Sequence, residues 1–290
     1  MNKISILLPF YNTELFISKS IESILNSSFI NFQLILIDDG STDSSFKIAS
    51  GYQDKRIVIY HKLNSGLIET LNYGLKKCKH EIIMRMDADD LIHPDKIRRQ
   101  LEFFKKSGSI LTGTQGYLID NKDKIIGDIN LPLHHKNIIK SINKISPSFI
   151  HPSVMFYKEA LIKSGGYIKY FKHAEDYELF LRLSKIGSVS NLKDRLIFLR
   201  KHENSVSHKY AEEQIQNSLI AKELYSKKNH PFISQKVYLV AKKKVQNNIL
   251  KFVYIRVHTK ISEIDYSSLK LILMLKLPLK IVRRILKLFL

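Results

Sequence analysis

The chain has 290 residues, of which 44% are hydrophobic and 26% are charged. This composition is typical of a globular protein and excludes an intrinsically disordered chain. The single cysteine, Cys78, excludes an intrachain disulfide and favours an intracellular protein. The sequence contains no run of the ~18 uncharged apolar residues that a membrane-spanning helix needs. The short apolar run at the N-terminus is typical of a strand and not of a signal peptide.

The net charge is +20, and most of the excess lies near the C-terminus. Residues 206–290 hold 17 Lys and Arg against 5 Asp and Glu, whereas residues 1–205 hold 30 against 22. Basic surfaces bind nucleic acid, anionic lipid or phosphorylated substrates. Charge alone does not distinguish these partners.

The first hundred residues alternate between strand and helix patterns. Strands are predicted over 4–10, 32–38, 56–61 and 81–87, and helices over 15–25, 67–77 and 94–106, with a short helix after Gly40. Asn12 or Thr13 is expected to cap the first of these helices, and Pro94 to lie in the first turn of the last. Such alternation predicts an α/β fold, a mostly parallel sheet with helices on both faces.

The segments at the carboxyl ends of these strands are polar. Ligands of parallel sheets bind beyond the carboxyl ends of the strands. We therefore expect one crevice to be lined by residues 9–12, 38–40, 64–66 and 87–90.

The pattern changes after residue 108. Residues 109–128 predict strands around a turn at 121–124, followed by a polar helix and a strand over 150–157. Gly165 and Gly166 predict a turn, and a helix is expected to follow Ala174. A strand and loop over 194–207 end this region, and the remaining sequence is helical in pattern. The predicted domains are residues 1–207 and a basic helical extension, residues 208–290.

Three aspartates follow the strand in "EIIMRMDADDLIHPDK", residues 81–96. A calcium loop of the EF-hand type is excluded, because Ile92 and Arg98 stand where that loop needs glycine and glutamate. A solvated turn with capping aspartates remains one interpretation. The functional interpretation is a site for Mg²⁺ or Mn²⁺, whose oxygen ligands would be aspartates and the phosphates of a nucleotide.

A second acidic strand end occurs in "LIDDGSTDS", residues 36–44. A phosphatase of the haloacid-dehalogenase type needs two aspartates separated by one residue, and Asp38 and Asp39 are adjacent. That reaction is therefore excluded. A carboxylate in this position can instead accept a hydrogen bond from a nucleotide base.

Six motifs occur in an order and spacing that resemble glycosyltransferase family 2, whose members have the GT-A fold. They are "ISILLPFYN", "LILIDDGSTD", "NSGLIETLNYGL", "MRMDADD", "HAEDYELFLRLSKIG" and "RKHENSVS". The resemblance covers residues 3–207 and is greatest to bacterial lipooligosaccharide and capsular enzymes of the β-1,3-N-acetylglucosaminyltransferase type. It implies a Rossmann-like GT-A fold and an inverting transfer from a UDP-sugar.

The resemblance also implies a nucleotide site. Tyr11 would stack near the uracil, Asp39 would accept a hydrogen bond from it, and Asp87 would lie near the ribose. The other residues assigned to this site are Pro9, Asn12, Asn64 and Gly66.

A metal site and a catalytic base follow from the same resemblance. Asp89, with Asp90, would bind Mn²⁺ or Mg²⁺, and His202 would be a further ligand of the metal or diphosphate. Asp176 would be the base, kept ionised by the N-terminus of its helix. Without the resemblance, Asp176 would be an ordinary first-turn acidic residue and His202 a surface histidine. His151 could contact substrate or belong to a structural His-Pro turn.

The C-terminal segment has a cationic stripe opposite an apolar one. The cations are Lys276, Lys280, Arg283, Arg284 and Lys287. This pattern predicts a helix that either binds an anionic membrane or packs on the catalytic domain. Nucleic-acid binding is not expected, because the cations alternate with aliphatic residues and not with stacking aromatics.

These features predict a metal-dependent transferase that moves GlcNAc, Gal, Glc or GalNAc to a hydroxyl of a growing surface glycan. The glycan would be lipooligosaccharide, capsule or O-antigen, with a lipid-linked acceptor. The enzyme is expected in the cytoplasm, peripheral at the inner face of the bacterial membrane. The alternative is a non-catalytic protein that binds a sugar nucleotide or lipid on the same scaffold. A nucleotidyltransferase is disfavoured, because "PFYNTE" lacks a basic, glycine-rich triphosphate loop.

Overall fold

The computed structural model describes residues 3–201, 210–227 and 233–258, the last twelve of these by their helical backbone alone. The strands are β1 (Ile4–Phe10), β2 (Phe32–Asp38), β3 (Ile57–His61), β4 (Ile82–Arg85), β5 (Leu91–Ile92), β6 (Leu111–Ile119), β7 (Ile125–Ile129), β8 (Met155–Tyr157) and β9 (Val189–Arg200). The helices are α1 (Ile17–Leu25), α2 (Ser45–Ser50), α3 (Leu67–Lys77), α4 (Lys96–Ser107), α5 (His135–Asn143), α6 (Lys158–Lys163), α7 (Glu175–Leu183), α8 (Ala211–Lys227) and α9 (Gln235–His258).

The described strands form one sheet in the order β3-β2-β1-β4-β8-β6-β9-β5, with β7 paired to β6. The four strands β3, β2, β1 and β4 are mutually parallel, and β6 is parallel to β9. β8 is antiparallel to both β4 and β6 and joins the two parallel parts. The predicted α/β fold with a mostly parallel sheet is confirmed. The carboxyl ends of β1, β2 and β4 consequently lie at one edge.

Both faces of the sheet are covered by helices, as predicted. Leu7 and Ile35 belong to a core cluster that includes residues of α3 and α7. Their neighbours Ile6 and Leu34 point to the other face, where a second cluster includes residues of α1 and α4. Burial on both faces explains why the first two strands are almost continuously apolar.

The start of α1 differs from its prediction. The N-cap is Phe16, and it makes no side-chain capping hydrogen bond. Asn12 has a left-handed φ of 52°, and its side chain bonds Thr42 on the neighbouring loop. Thr13 contributes its carbonyl oxygen to the turn that precedes the helix. The predicted caps are therefore wrong, because both residues belong to contacts between loops.

Several other boundaries also shift. α4 begins two residues after Pro94, and β4 ends two residues before Asp87. The strand predicted over 150–157 is interrupted by a 3₁₀ turn, His151–Ser153, and only its last three residues form β8. His151 is buried in that turn, 3.0 Å from the Tyr167 hydroxyl, as the structural interpretation of this residue expected. β5 and the first half of β9 were not predicted.

The first two helices after residue 208 pack on the rest of the chain. Ile220 and Leu224 of α8 and Tyr238 of α9 belong to the same core cluster as residues of α7. The proposed boundary between residues 207 and 208 remains a prediction. The cationic stripe of residues 276–289 lies outside the described residues. None of the helices that the structure describes is long and apolar enough to cross a membrane.

A pH dependence of stability is predicted from Lys96, which is fully buried at the start of α4. Its Nζ lies 2.8 Å from Gln100 Oε1 and 3.2 Å from the Ser153 carbonyl oxygen. Burial lowers the pKa of Lys96 to about 7. An unfolded lysine titrates near pH ~10.4, so the unfolded state binds more protons between these values. The free energy of unfolding should therefore rise with pH in that window.

Urea unfolding of the wild type and of Lys96→Met, measured at about pH 7 and about pH 9.5, should show this effect. The wild type should gain about 2 to 3 kcal/mol relative to the variant between the two pH values. Lys105→Met, which changes an exposed lysine of the same helix, is the control. The same pH dependence in wild type and Lys96→Met would contradict the assignment.

Candidate active site

Three carboxyl groups converge beyond the carboxyl end of β4. Ligand oxygens of Asp87, Asp89 and Asp90 lie within 4.8 Å of one another. Asp87 and Asp89 are partly exposed, whereas Asp90 is buried. Asp90 Oδ2 is buried and accepts no hydrogen bond from the described residues. This oxygen-rich cluster with an unsatisfied buried acceptor fits a hard divalent cation such as Mg²⁺ or Mn²⁺.

The cluster is built around Arg85, the last residue of β4, which the sequence analysis did not single out. Both terminal nitrogens of the Arg85 guanidinium pair with the Asp87 carboxylate. The Arg85 side chain is only 2% exposed. The sequence does contain an indication of this contact: Arg85 lies within the apolar run "IIMRM", and a buried cation requires an acidic partner nearby.

Burial and repulsion between neighbouring carboxylates raise the pKa values of Asp87 and Asp90. Burial raises the pKa of Asp87 to about 6, and the charge of Arg85 opposes this shift. Burial and the charges of Asp89 and Asp87 raise the pKa of Asp90 well above its usual range. Such repulsion is what a bound divalent cation would relieve.

Arg200, at the end of β9, fixes the backbone of this acidic turn. Its backbone N–H donates to Asp90 Oδ1 at 2.8 Å, and its Nε donates to the Asp89 carbonyl at 2.7 Å. Nη1 donates to the Asp120 carbonyl at 2.6 Å. A residue 110 positions away thus orients the aspartates. The sequence analysis missed it because nothing local to Arg200 indicates this contact.

Asp176 and Glu175 form the first turn of α7. Asp176 Oδ1 accepts a hydrogen bond from the Tyr177 N–H at 2.7 Å. Burial nevertheless raises the pKa of Asp176. The N-terminus of the helix was expected to keep this carboxylate ionised, but its effect on the pKa is smaller than that of burial. Burial and the neighbouring Asp176 raise the pKa of Glu175 to about 8. The charge of Asp176 also raises the pKa of Asp87, so the two predicted residues are close enough to interact.

Asp39 follows β2, which lies on the opposite side of β1 from β4. Its side chain joins the loop after β2 to the loop after β3. Its carboxylate accepts the N–H groups of Ser65 at 3.0 Å and Gly66 at 2.9 Å, and it pairs with Lys62. Burial raises the pKa of Asp39, but the hydrogen bonds from Lys62 and Ser65 outweigh it and the pKa is lowered. Asp39 therefore remains an anion that holds the loop after β3.

Gly40 and Gly66 allow the two loops to approach. A Cβ on Gly40 would lie 2.8 Å from the Asn64 nitrogen, and Gly40 has a φ of +74°. Gly66 has a φ of +88° and precedes α3. The side chain of Asn64 is exposed next to this contact.

The end of β1 is joined to the loop after β2. The Asn12 side chain accepts the Thr42 N–H at 2.8 Å, and the Asn12 N–H donates to Ser41 Oγ at 3.0 Å. Tyr11 is 46% exposed, so its ring is available for stacking. Pro9 is buried within β1.

The structure therefore brings the predicted residues to one edge of the sheet. Asp87, Asp89 and Asp90 lie on one side of β1, and Asp39, Asn64 and Gly66 lie on the other. Pro9, Tyr11 and Asn12 stand between them. Asp176 is in the first turn of α7, and its charge raises the pKa of Asp87. His202 lies outside the described residues. The roles of all these residues remain predictions.

A family model for "Glycosyl transferase family 2" matches residues 5–165. The O-antigen biosynthesis glycosyltransferase WbnJ of Escherichia coli is 33% identical over 216 residues, which cover 71% of this chain and 82% of WbnJ. The putative glycosyltransferase EpsE of Bacillus subtilis is 30% identical over 225 residues, covering 75% of this chain and 80% of EpsE.

Solved structures support the fold. TarS of S. aureus in complex with UDP-GlcNAc superposes with a TM-score of 0.65 at 18% identity, covering 86% of this chain and 73% of TarS. The mannosyltransferase PcManGT of Pyrobaculum calidifontis, in complex with GDP-Man and Mn²⁺, gives a TM-score of 0.58 at 15% identity, covering 98% and 84%. Together with the family match, the sheet and its helices show a GT-A fold, and the chain belongs to glycosyltransferase family 2.

Proposed function

We propose that this glycosyltransferase moves a sugar from a UDP-sugar to a hydroxyl of a growing surface glycan, inverting the anomeric centre. The observation that carries the proposal is the aspartate cluster beyond β4: ligand oxygens of Asp87, Asp89 and Asp90 lie within 4.8 Å of one another, and the buried Asp90 Oδ2 has no hydrogen-bond partner among the described residues. A single displacement needs a base near the acceptor hydroxyl and positive charge near the leaving diphosphate. We assign the first task to Asp176 in α7 and the second to a cation held by Asp89 and Asp90 beyond β4.

Asp89 and Asp90 are the residues we assign to the divalent cation, Mn²⁺ or Mg²⁺, with Asp87 beside them. The orphaned Asp90 Oδ2 and the 4.8 Å cluster support this assignment. A cation bound there would neutralise the negative charge that develops on the diphosphate. Arg200 keeps the aspartates in place through the Asp89 carbonyl and Asp90 Oδ1. His202 is proposed as a further ligand from its sequence motif alone.

Asp176 is proposed as the base that removes the acceptor proton. Burial raises the pKa of Asp176, which increases its affinity for a proton. Glu175 has a pKa of about 8 and would be protonated at neutral pH, so it can donate a hydrogen bond to the substrate. Activity should accordingly fall as pH decreases through the pKa of Asp176.

The nucleotide is proposed to bind between the β1, β2 and β3 loops. Tyr11 is exposed for stacking, and Asp39 is an anion next to the Asn64 and Gly66 backbone. The resemblance favours UDP, and the TarS complex contains UDP-GlcNAc, whereas PcManGT contains GDP-Man. The name of WbnJ supports a surface glycan as acceptor, which we propose is lipid-linked.

A panel of nucleotide sugars, each with Mn²⁺, tests the proposal. A UDP-sugar carrying GlcNAc, Gal, Glc or GalNAc should raise the melting temperature and be hydrolysed slowly without acceptor. Stabilisation without hydrolysis or transfer would favour the non-catalytic binding protein. Stabilisation by GDP-sugars alone would refute the choice of UDP.

Replacing Asp89 with alanine should remove Mn²⁺-dependent binding of UDP and abolish transfer, because the cation loses a ligand. Circular dichroism should show an intact fold. Asp95→Ala, which removes an exposed carboxylate paired with Arg98, is the control. Isothermal titration of UDP with and without Mn²⁺ measures the effect. Wild-type turnover in EDTA would show that no metal is needed.

Replacing Asp176 with asparagine should lower kcat by ~10²–10⁴ while donor affinity stays within a few-fold, since only the base is lost. Asp128→Asn, at an exposed carboxylate paired with Arg195, is the control. Steady-state kinetics with donor titrated at saturating acceptor separate kcat from KM. A variant that loses donor binding but keeps the wild-type kcat would show that Asp176 is not the base.

The C-terminal stripe is proposed to hold the enzyme at the inner face of the membrane. Each Lys or Arg near an anionic surface adds about 1 kcal/mol, and salt weakens this term. Deletion of residues 269–290 should release the protein from anionic vesicles and leave transfer to a soluble acceptor analogue intact. Co-sedimentation at low and high salt, with a melting curve of the truncated protein, measures this. If the truncated protein is unstable and the wild type does not bind vesicles, the segment packs on the catalytic domain and does not bind the membrane.

A further inference from the structure

A buried ion pair lies on the helix that carries Asp176. Glu178 and Arg182 are one turn apart on α7, and their side chains are 0% and 4% exposed. Arg182 Nε and Nη2 each lie 2.7 Å from one of the two carboxylate oxygens of Glu178. This bidentate contact satisfies only part of the hydrogen-bonding capacity of the guanidinium.

The remaining donors of Arg182 hold the turn that precedes α7 in sequence. Nη1 donates to the Ser164 carbonyl at 2.5 Å and to Ser164 Oγ at 2.9 Å, and Nη2 donates to the Gly166 carbonyl at 2.7 Å. Gly165 and Gly166 have φ values of 100° and 70°. A turn built of two glycines in left-handed conformations has little stiffness of its own. The N–H groups of Gly165 and Gly166 donate to carbonyls at the end of α6, and the contacts with Arg182 hold the other side of the turn.

The turn leads directly into Tyr167, which lies beside the proposed catalytic groups. The backbone N–H and carbonyl of Tyr167 bond the side chain of Asn72 at 2.9 and 2.8 Å. Burial raises the pKa of Tyr167, and the charges of Glu175 and Asp176 contribute to that shift. Asp176 and Glu178 share the first turn of α7, so the contacts of Glu178 with Arg182, and of Arg182 with Gly166, connect residues 164–167 to the turn that carries Asp176.

The helical extension completes this network. Tyr225 of α8 is 1% exposed, and its hydroxyl donates to Glu178 Oε1 at 2.6 Å. Its carbonyl oxygen accepts a hydrogen bond from Lys185, which follows α7. Glu178 Oε1 is thus held by Arg182 and Tyr225 together.

We propose that Tyr225 is a positioning residue: through Glu178 and Arg182 it holds the 164–167 turn and the first turn of α7 in the arrangement that catalysis needs. Helix α8 then contributes to catalysis through the positions of α7 and of the 164–167 turn. Without the tyrosine hydroxyl, the buried carboxylate of Glu178 loses a hydrogen bond, and the position of its pair with Arg182 changes. The catalytic consequence rests on the proposed function, whereas the positioning of the turn does not.

Tyr225→Phe tests this inference, because it removes the hydroxyl and keeps the ring. Tyr238→Phe is the matched control: its hydroxyl is also buried in the extension, but it donates to Asn217 at 2.9 Å and not to Glu178. Hydrogen exchange followed by mass spectrometry reports on the turn, since the Gly165, Gly166 and Tyr167 amides are all hydrogen-bonded. Donor binding, kcat and melting temperature are measured on the same proteins.

In Tyr225→Phe, peptides covering residues 164–168 should exchange about 10-fold faster, the effect of losing one hydrogen bond to a buried charge. The kcat for UDP-sugar turnover should fall by a similar factor while the Kd for UDP with Mn²⁺ stays unchanged. Tyr238→Phe should lower the melting temperature comparably and change neither quantity.

Unchanged exchange in Tyr225→Phe would refute the inference whatever the reaction is. Faster exchange with unchanged kcat would limit Tyr225 to a structural role and would equally overturn it. A wild type that turns over no UDP-sugar would count against the proposed function, and the exchange measurement alone would then decide whether Tyr225 holds the turn.

Discussion

The guanidinium of Arg85 is a full positive charge inside the sheet, with 2% of its side chain exposed. A buried unpaired cation costs several kcal/mol, so acidic partners must accompany it. Asp87 pairs with Arg85 directly. The positive charge of Arg85 also opposes the upward pKa shifts of Asp90, Glu175 and Asp176. Without this cation, the carboxyl groups of the candidate site would repel one another more strongly.

The parallel arrangement of β1, β2 and β4 explains why the site has two halves. Their carboxyl ends lie at one edge, so the acidic turn after β4 and the loops after β2 and β3 flank the end of β1. Each half is rigid because side chains bond backbone groups of another loop. Asp39 holds the loop that begins α3, and Arg200 holds the turn of Asp89 and Asp90. Rigid loops preserve the spacing between donor and acceptor groups that a single displacement requires.

Helices α8 and α9 of the extension also contribute to this rigidity, through their contacts with α7. Apolar residues of α8 and α9 share a core cluster with α7, and Tyr225 completes the ion pair of Glu178 and Arg182. Apolar burial and one buried polar network therefore fasten the same helix. The base proposed for the reaction, Asp176, lies in the first turn of that helix, two residues before Glu178, so the stability of α7 and the geometry of the site are connected.

The sequence by itself determined the α/β class, most helices and strands, and the family, because strand and helix periodicity and six ordered motifs are local properties of the chain. It also indicated Asp87, Asp89, Asp90 and Asp176, since acidic residues at strand and helix ends form visible motifs. Only the tertiary structure revealed the roles of Arg85, Arg200 and Tyr225. Their partners are decided by packing, and two of these contacts join residues 47 and 110 positions apart in the chain. Thr13 Oγ1 is buried without a hydrogen-bond partner among the described residues, and the cap predicted at Asn12 failed because its side chain bonds Thr42 in the loop after β2, a contact that only the tertiary structure creates.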